Sequence, residues 1–74
     1  MEDLFTTQLK QGGGTMGYRV VFEEEQYRFI PDGGEGDAFA LKREHDEWHA
    51  AQPLPEEVKS QAVNALERYL LQQH

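Results

Sequence analysis

The chain has 74 residues and no cysteine, and its 14 carboxylates against 7 lysines and arginines give a formal net charge of −7. Its length predicts a single small domain, and without cysteine it forms no disulfide and no thiolate metal site. The acidic balance argues against a nucleic-acid binder and against docking on an anionic membrane, because both need a basic surface. No apolar run approaches the ~20 residues that span a bilayer, and the N-terminus lacks the apolar stretch of a secretory signal. These features favour a cytoplasmic protein.

The first segment, residues 1–14, shows no clear hydrophobic period and ends in three consecutive glycines at 12–14. A glycine triplet has high backbone entropy and is typical of a hinge or linker. The sequence therefore predicts a flexible or partner-packing N-terminal arm, followed by a single small α+β domain at 15–74. The apolar residues of the arm, which fit a short helical turn or an edge strand, are candidate contacts to a partner: Leu4, Phe5 and Leu9.

Period-two alternation of apolar residues predicts three strands in the body of the chain. They run from Thr15 to Glu23, from Gln26 to about Pro31 and, after a glycine-rich loop, from Ala38 to about Glu44. A two-residue turn at 24–25 would set the register of the first two strands and align their large side chains on one face. The alternative is a longer turn with a bulge, because positions 24–25 lack the Asn-Gly or Gly signal of a tight hairpin turn. The predicted cross-strand pairs are Phe22 with Tyr27 and Val20 with Phe29.

The last part of the chain predicts a possible fourth strand and a helix. A turn at 45–47 would allow a short strand at 49–51. From about Pro55 to Gln72 the apolar residues recur at helical spacing, and Pro55 suits the first helical position. Such a one-sided helix needs an apolar surface to cover, and the aromatic face of the strands supplies one.

The sequence thus predicts a two-layer α+β fold. Its layers are a three- to four-stranded antiparallel β-meander and one C-terminal amphipathic helix packed on the aromatic face of that sheet. The residues expected to be mostly buried are Phe22, Phe29, Leu41, Leu66 and Tyr69.

The densest polar cluster of the sequence is His45-Asp46-Glu47-Trp48-His49. In an extended chain His45, Glu47 and His49 project from one face, and two imidazoles with a carboxylate are ligand types of zinc and iron sites. The spacing differs from the helical His-Glu-x-x-His pattern of metalloproteases, and a solvated outer face explains the same residues. The three are therefore a weak metal-site candidate, and no cofactor is predicted.

We expect no catalysis, because the chain lacks cysteine and a Gly-x-Ser-x-Gly elbow, and no carboxylate is set beside an apolar wall. The sequence favours a small protein-interaction or assembly module of a bacterial type, because its core is small and its meander ends in edge strands that invite pairing. The expected partner is a second copy, as in a homodimer, or another protein. The alternatives are an acidic decoy or inhibitor that binds a basic protein, and a weak metal-binding domain built on His45, Glu47 and His49.

Overall fold

The computed structural model describes residues 2–34 and 38–72 of the chain. Within these residues the fold is α+β: five strands form one antiparallel sheet in the order β1-β2-β3-β4-β5, and one helix follows at the C-terminal end. The elements are β1 (Glu2–Gln11), β2 (Gly14–Glu23), β3 (Gln26–Pro31), β4 (Phe39–Glu44), β5 (Glu47–Ala50) and α1 (Glu56–Gln72). The predicted fold class is confirmed, whereas the predicted number of three to four strands is too low.

The predicted register of β2 and β3 is confirmed, because Phe22 lies opposite Tyr27 and Val20 opposite Phe29. The turn between them uses two residues in the left-handed region, Glu24 (φ 54°) and Glu25 (φ 62°). This geometry is that of a type I′ hairpin turn, whose twist matches the strands that it joins. The β4–β5 turn at 45–46 has the same form, with φ of 53° and 65°.

The predicted flexible arm with a glycine hinge is wrong, because this segment is the edge strand β1 of the sheet. The glycines at 12–13 take φ values of 50° and 84° and close a two-residue turn, so that Gln11 pairs with Gly14. They act as a hairpin turn and not as a hinge. The register shifts between Asp3 and Phe5, which marks a β-bulge. This bulge and the polar run at 6–8 hide the strand period from sequence analysis.

The hydrophobic core lies between one face of the sheet and α1. Phe29 and Phe39 stack near its centre, with ring centroids 4.8 Å apart. Burial of Phe29, Leu41 and Leu66 is confirmed. Tyr69 is only half-buried, and Phe22 remains 41% exposed, beyond the cluster that the helix covers. The buried residues of the cluster are Leu9, Tyr18, Val20, Phe29, Phe39, Leu41, Val58, Ala62 and Leu66.

The helix begins at Glu56, one residue later than predicted, and Pro55 accepts a hydrogen bond from the Lys59 N–H at 3.0 Å. Glu56 and Glu57 in the first turn favour the positive end of the helix dipole. One face of the helix is buried through Val58, Ala62 and Leu66. In the described part of the chain, no helix is both long and apolar enough to cross a membrane.

Replacing Leu66 by alanine tests whether α1 is docked on the sheet. Leu66 is fully buried, so Leu66→Ala should lower the free energy of unfolding by about 2 to 5 kcal/mol in chemical denaturation. The matched control is Leu71→Ala on the same helix, because Leu71 is 73% exposed and its truncation should change stability by less than about 0.5 kcal/mol. Equal stability of both variants and the parent would show that the helix does not cover the sheet.

Candidate functional site: the groove between β1 and α1

A groove of about 430 Å³ runs between the edge strand β1 and the helix α1. Residues 5–8 of β1 form one wall, and the other wall is formed by α1, with Gln61, Ala65, Arg68 and Tyr69 among its lining residues. One side of the groove is therefore strand backbone at the edge of a sheet, and the other is the flank of an amphipathic helix.

The side chain of Gln61 closes one end of the groove. Its Oε1 accepts a hydrogen bond from the Lys10 N–H at 2.7 Å, and its Nε2 donates to the Lys10 carbonyl oxygen at 2.9 Å. The same Nε2 also donates to the Glu57 carbonyl oxygen at 3.1 Å, which orients the amide. A neighbouring strand would bond the Lys10 backbone through the same two groups, so this amide takes the place of one residue of an added strand.

The outward backbone groups of Thr6 and Gln8 face the open part of the groove. In an antiparallel ladder successive residues direct their N–H and C=O groups alternately toward the partner strand and away from it. The register from Phe5 to Gln11 has no bulge, and Lys10 bonds outward to the helix. Thr6 and Gln8 therefore also direct their backbone groups outward, and both residues line the groove.

The three predicted interaction residues anchor β1 to its own domain. Leu9 is 1% exposed, and Leu4 and Phe5 pack against the core cluster. The Phe5 ring stacks on Tyr69 with centroids 4.8 Å apart, which fixes α1 over β1 at the end opposite to Gln61. These side chains thus pack within their own domain, Phe5 also lines the groove, and their role as partner contacts stays a prediction; the outward edge of β1 presents backbone.

The charge of the groove differs from that of the whole chain. Within the described residues, Arg68 is the one charged side chain among those that line it. The other lining residues on both walls are amides, threonines, aromatic rings and an alanine. An acidic protein therefore holds a groove whose walls carry a single positive charge.

The predicted metal cluster is not assembled. His45 lies in the β4–β5 turn with a positive φ, so it leaves the alternating face that it was expected to share with Glu47 and His49. His49 Nε2 and Glu47 Oε2 lie 3.7 Å apart, with both side chains exposed. Among the residues that the structure describes, no group of three or more His, Cys, Asp or Glu could hold a metal ion.

A second surface lies at the end of the sheet that carries the β2–β3 and β4–β5 turns. Tyr27 contacts both Phe22 and Trp48, with centroid distances of 4.9 and 5.6 Å. Trp48 is half-buried, and the Arg43 guanidinium lies over its ring at 5.7 Å. Exposed carboxylates occupy the two turns at this end: Glu24, Glu25 and Asp46.

Comparisons of the chain with protein-family models, with curated proteins and with solved structures find no match. What the groove can bind follows from its own geometry and charge.

Replacing Gln61 by alanine tests whether its side-chain amide holds the Lys10 backbone and thereby closes one end of the groove. Gln61→Ala removes both bonds to Lys10, so stability should fall by about 1 kcal/mol and the Lys10 amide should exchange faster with solvent. NMR-detected hydrogen exchange measures the second effect directly. Asn64→Ala, at an exposed position of the same helix, should leave the Lys10 amide unchanged. An unaltered exchange rate in Gln61→Ala would show that the amide does not hold the strand.

Proposed function

We propose that the chain is a non-catalytic protein-interaction module that binds a partner by adding a β-strand to the edge of β1. The observation that carries this proposal is the pairing of the Gln61 amide with the Lys10 backbone, beside two residues whose outward backbone groups face an open groove. Strand addition next to a flanking helix is a recurrent mode of peptide recognition, in which backbone hydrogen bonds give affinity and side-chain pockets give specificity.

The two edges of the sheet differ in how well they suit this role. The edge strand β5 has four residues, and two of them are the exposed Glu47 and His49. The edge strand β1 has ten residues, and Thr6 and Gln8, the two whose outward backbone groups face the open groove, are uncharged. Proteins commonly protect edge strands by shortness, charge or proline. The β5 edge carries the first two protections, whereas the middle of β1 carries none of the three.

The chemistry of the groove favours binding over catalysis. Its described lining includes no histidine, cysteine, aspartate or glutamate that would serve as nucleophile or proton carrier beside Arg68. The backbone groups of Thr6 and Gln8 can together form up to about four hydrogen bonds, each contributing roughly 0.5 to 1.5 kcal/mol. The homodimer and the cytoplasmic location expected from the sequence stay predictions.

Photo-crosslinking in cells that express the chain tests the proposal. A benzophenone side chain at position 6 should form a defined adduct, either with a second copy or with another protein. The matched control places the same group at position 42, on the open face of the sheet.

The variant Gln8→Pro should abolish the adduct at position 6, because proline removes the outward N–H and puts a ring at the edge. The fold of Gln8→Pro is checked by its thermal unfolding, since the residue bonds outward and not to β2. Adducts that persist in Gln8→Pro, or that are the same from positions 6 and 42, would contradict strand addition at β1.

A second candidate function is the acidic decoy, in which the turn end of the sheet binds a basic protein segment. Phe22 is 41% exposed there, the turns carry carboxylates, and the ring of Trp48 already accepts the Arg43 guanidinium. Cations bind the faces of aromatic rings, and nearby carboxylates strengthen the attraction.

Titration with an arginine-rich peptide tests this candidate. Binding followed by Trp48 fluorescence should weaken steeply between low and high salt, because exposed charges are screened beyond about 8 to 10 Å. Phe22→Ser should weaken it further, whereas Leu71→Ser, at the other exposed large apolar residue of the described chain, is the control. Equal binding by the two variants would exclude the aromatic surface as the site.

A further inference from the structure

We propose that the strand bound at β1 is an extended peptide segment of another protein, without a helix of its own at that edge and with a carboxylate placed opposite Arg68. This inference rests on the proposed function and specifies its partner. Three features carry it: the position of α1 over β1, the closure of one groove end by Gln61, and the charge of the groove walls.

The position of α1 argues against antiparallel pairing with a second copy at this edge. The helix is held over β1 by the Phe5–Tyr69 stack at one end and by the Gln61–Lys10 bonds at the other. Antiparallel pairing of β1 with the β1 of a second copy places both helices on the same face of the joined sheet. Paired strands lie about 4.8 Å apart, whereas packed helices need about 8 to 10 Å between their axes. The two helices would therefore collide.

The length of the bound segment follows from the closed end of the groove. Gln61 already occupies the outward groups of Lys10, which leaves those of Thr6 and Gln8 for a partner. These two residues are separated by about 6.8 Å along a strand, at about 3.4 Å per residue. A segment of roughly four or five extended residues spans that length, so a peptide or tail suffices.

The chemistry of the bound side chains follows from strand alternation. Every second side chain of an added strand points to the α1 side of the sheet, where Ala65, Arg68 and Tyr69 line the groove. Ala65 and Tyr69 accept apolar side chains of modest size. Arg68 is exposed, and the described lining offers it no carboxylate, so an acidic side chain of the partner complements it.

Fluorescence anisotropy with three blocked peptides tests the inference. Each peptide alternates valine and threonine, and its central residue is glutamate, glutamine or lysine. The parent chain should bind the glutamate peptide up to about fivefold more tightly than the glutamine peptide, and the lysine peptide most weakly. Arg68→Glu should reverse this order, whereas Arg43→Glu, outside the groove, should preserve it. Gln8→Pro should lose all three peptides.

The outcomes separate this inference from the function on which it rests. If Gln8→Pro abolishes peptide binding but the three peptides bind equally well, the proposed carboxylate of the partner is wrong, whereas strand addition at β1 remains supported. A dimer in sedimentation equilibrium that Gln8→Pro dissolves would overturn the peptide partner in favour of a second copy. Failure of all three peptides to bind would overturn the inference, and photo-crosslinking at position 6 then decides separately whether β1 takes a partner strand.

Discussion

One helix has to cover one face of a five-stranded sheet, and the remaining features of the structure follow from that constraint. Strands lie about 4.8 Å apart, so five of them form a face nearly twice as wide as the ~10 Å diameter of a helix. The helix α1 packs, through buried residues such as Leu66, on the part of the face where Leu9 and Val20 are buried. It leaves the aromatic surface at the turn end only partly covered, and Phe22, near the end of β2, lies beyond the cluster on which α1 packs. Both candidate surfaces of this chain are consequences of incomplete coverage.

The same constraint explains which outward backbone groups of β1 are hydrogen-bonded and which remain open. Because α1 lies over β1, its flank is close enough for Gln61 to bond the outward backbone of Lys10. That contact hides one of the outward-facing residues of the strand and leaves Thr6 and Gln8 beside a groove. An edge strand with unpaired backbone groups invites pairing with another strand. Because β1 is bonded at its Lys10 end and open in its middle, a partner strand has a defined place to bind. The flanking helix α1 then limits the partner to an extended segment that carries no helix on the α1 side of the joined sheet.

Sequence patterns predicted the regular part of the fold and missed the part that forms the site. Alternation in β2 and β3 fixed their register, and helical spacing identified α1, because each pattern reports burial of one face. The strand β1 was missed because the polar Thr7 stands between Phe5 and Leu9 on the inward face, and because a bulge between Asp3 and Phe5 shifts the period at the start of the strand. The glycines at 12–13 fit a hinge and a type I′ turn equally well, since both use the backbone freedom of glycine.

The groove itself had no sequence signal. Its defining contact joins Lys10 to Gln61, and a side-chain amide bonded to strand backbone across that separation leaves no local pattern. For a related reason the described residues form no metal-holding group at His45, Glu47 and His49, because a two-residue turn with positive φ at 45–46 interrupts the extended chain that the hypothesis assumed. A type I′ turn usually carries asparagine or glycine, and neither occurs there.

The central claim is that α1 engages one outward-facing residue of β1 and leaves the next two open to a partner strand. Amide hydrogen exchange of the free chain, measured residue by residue by NMR at low protein concentration, tests it most directly. The account predicts protection of Thr7 and Leu9, which bond to β2, and of Lys10, which bonds to Gln61, together with fast exchange at Thr6 and Gln8. Protection of Thr6 and Gln8 equal to that of Thr7 and Leu9 would contradict it, because the edge would then already be occupied.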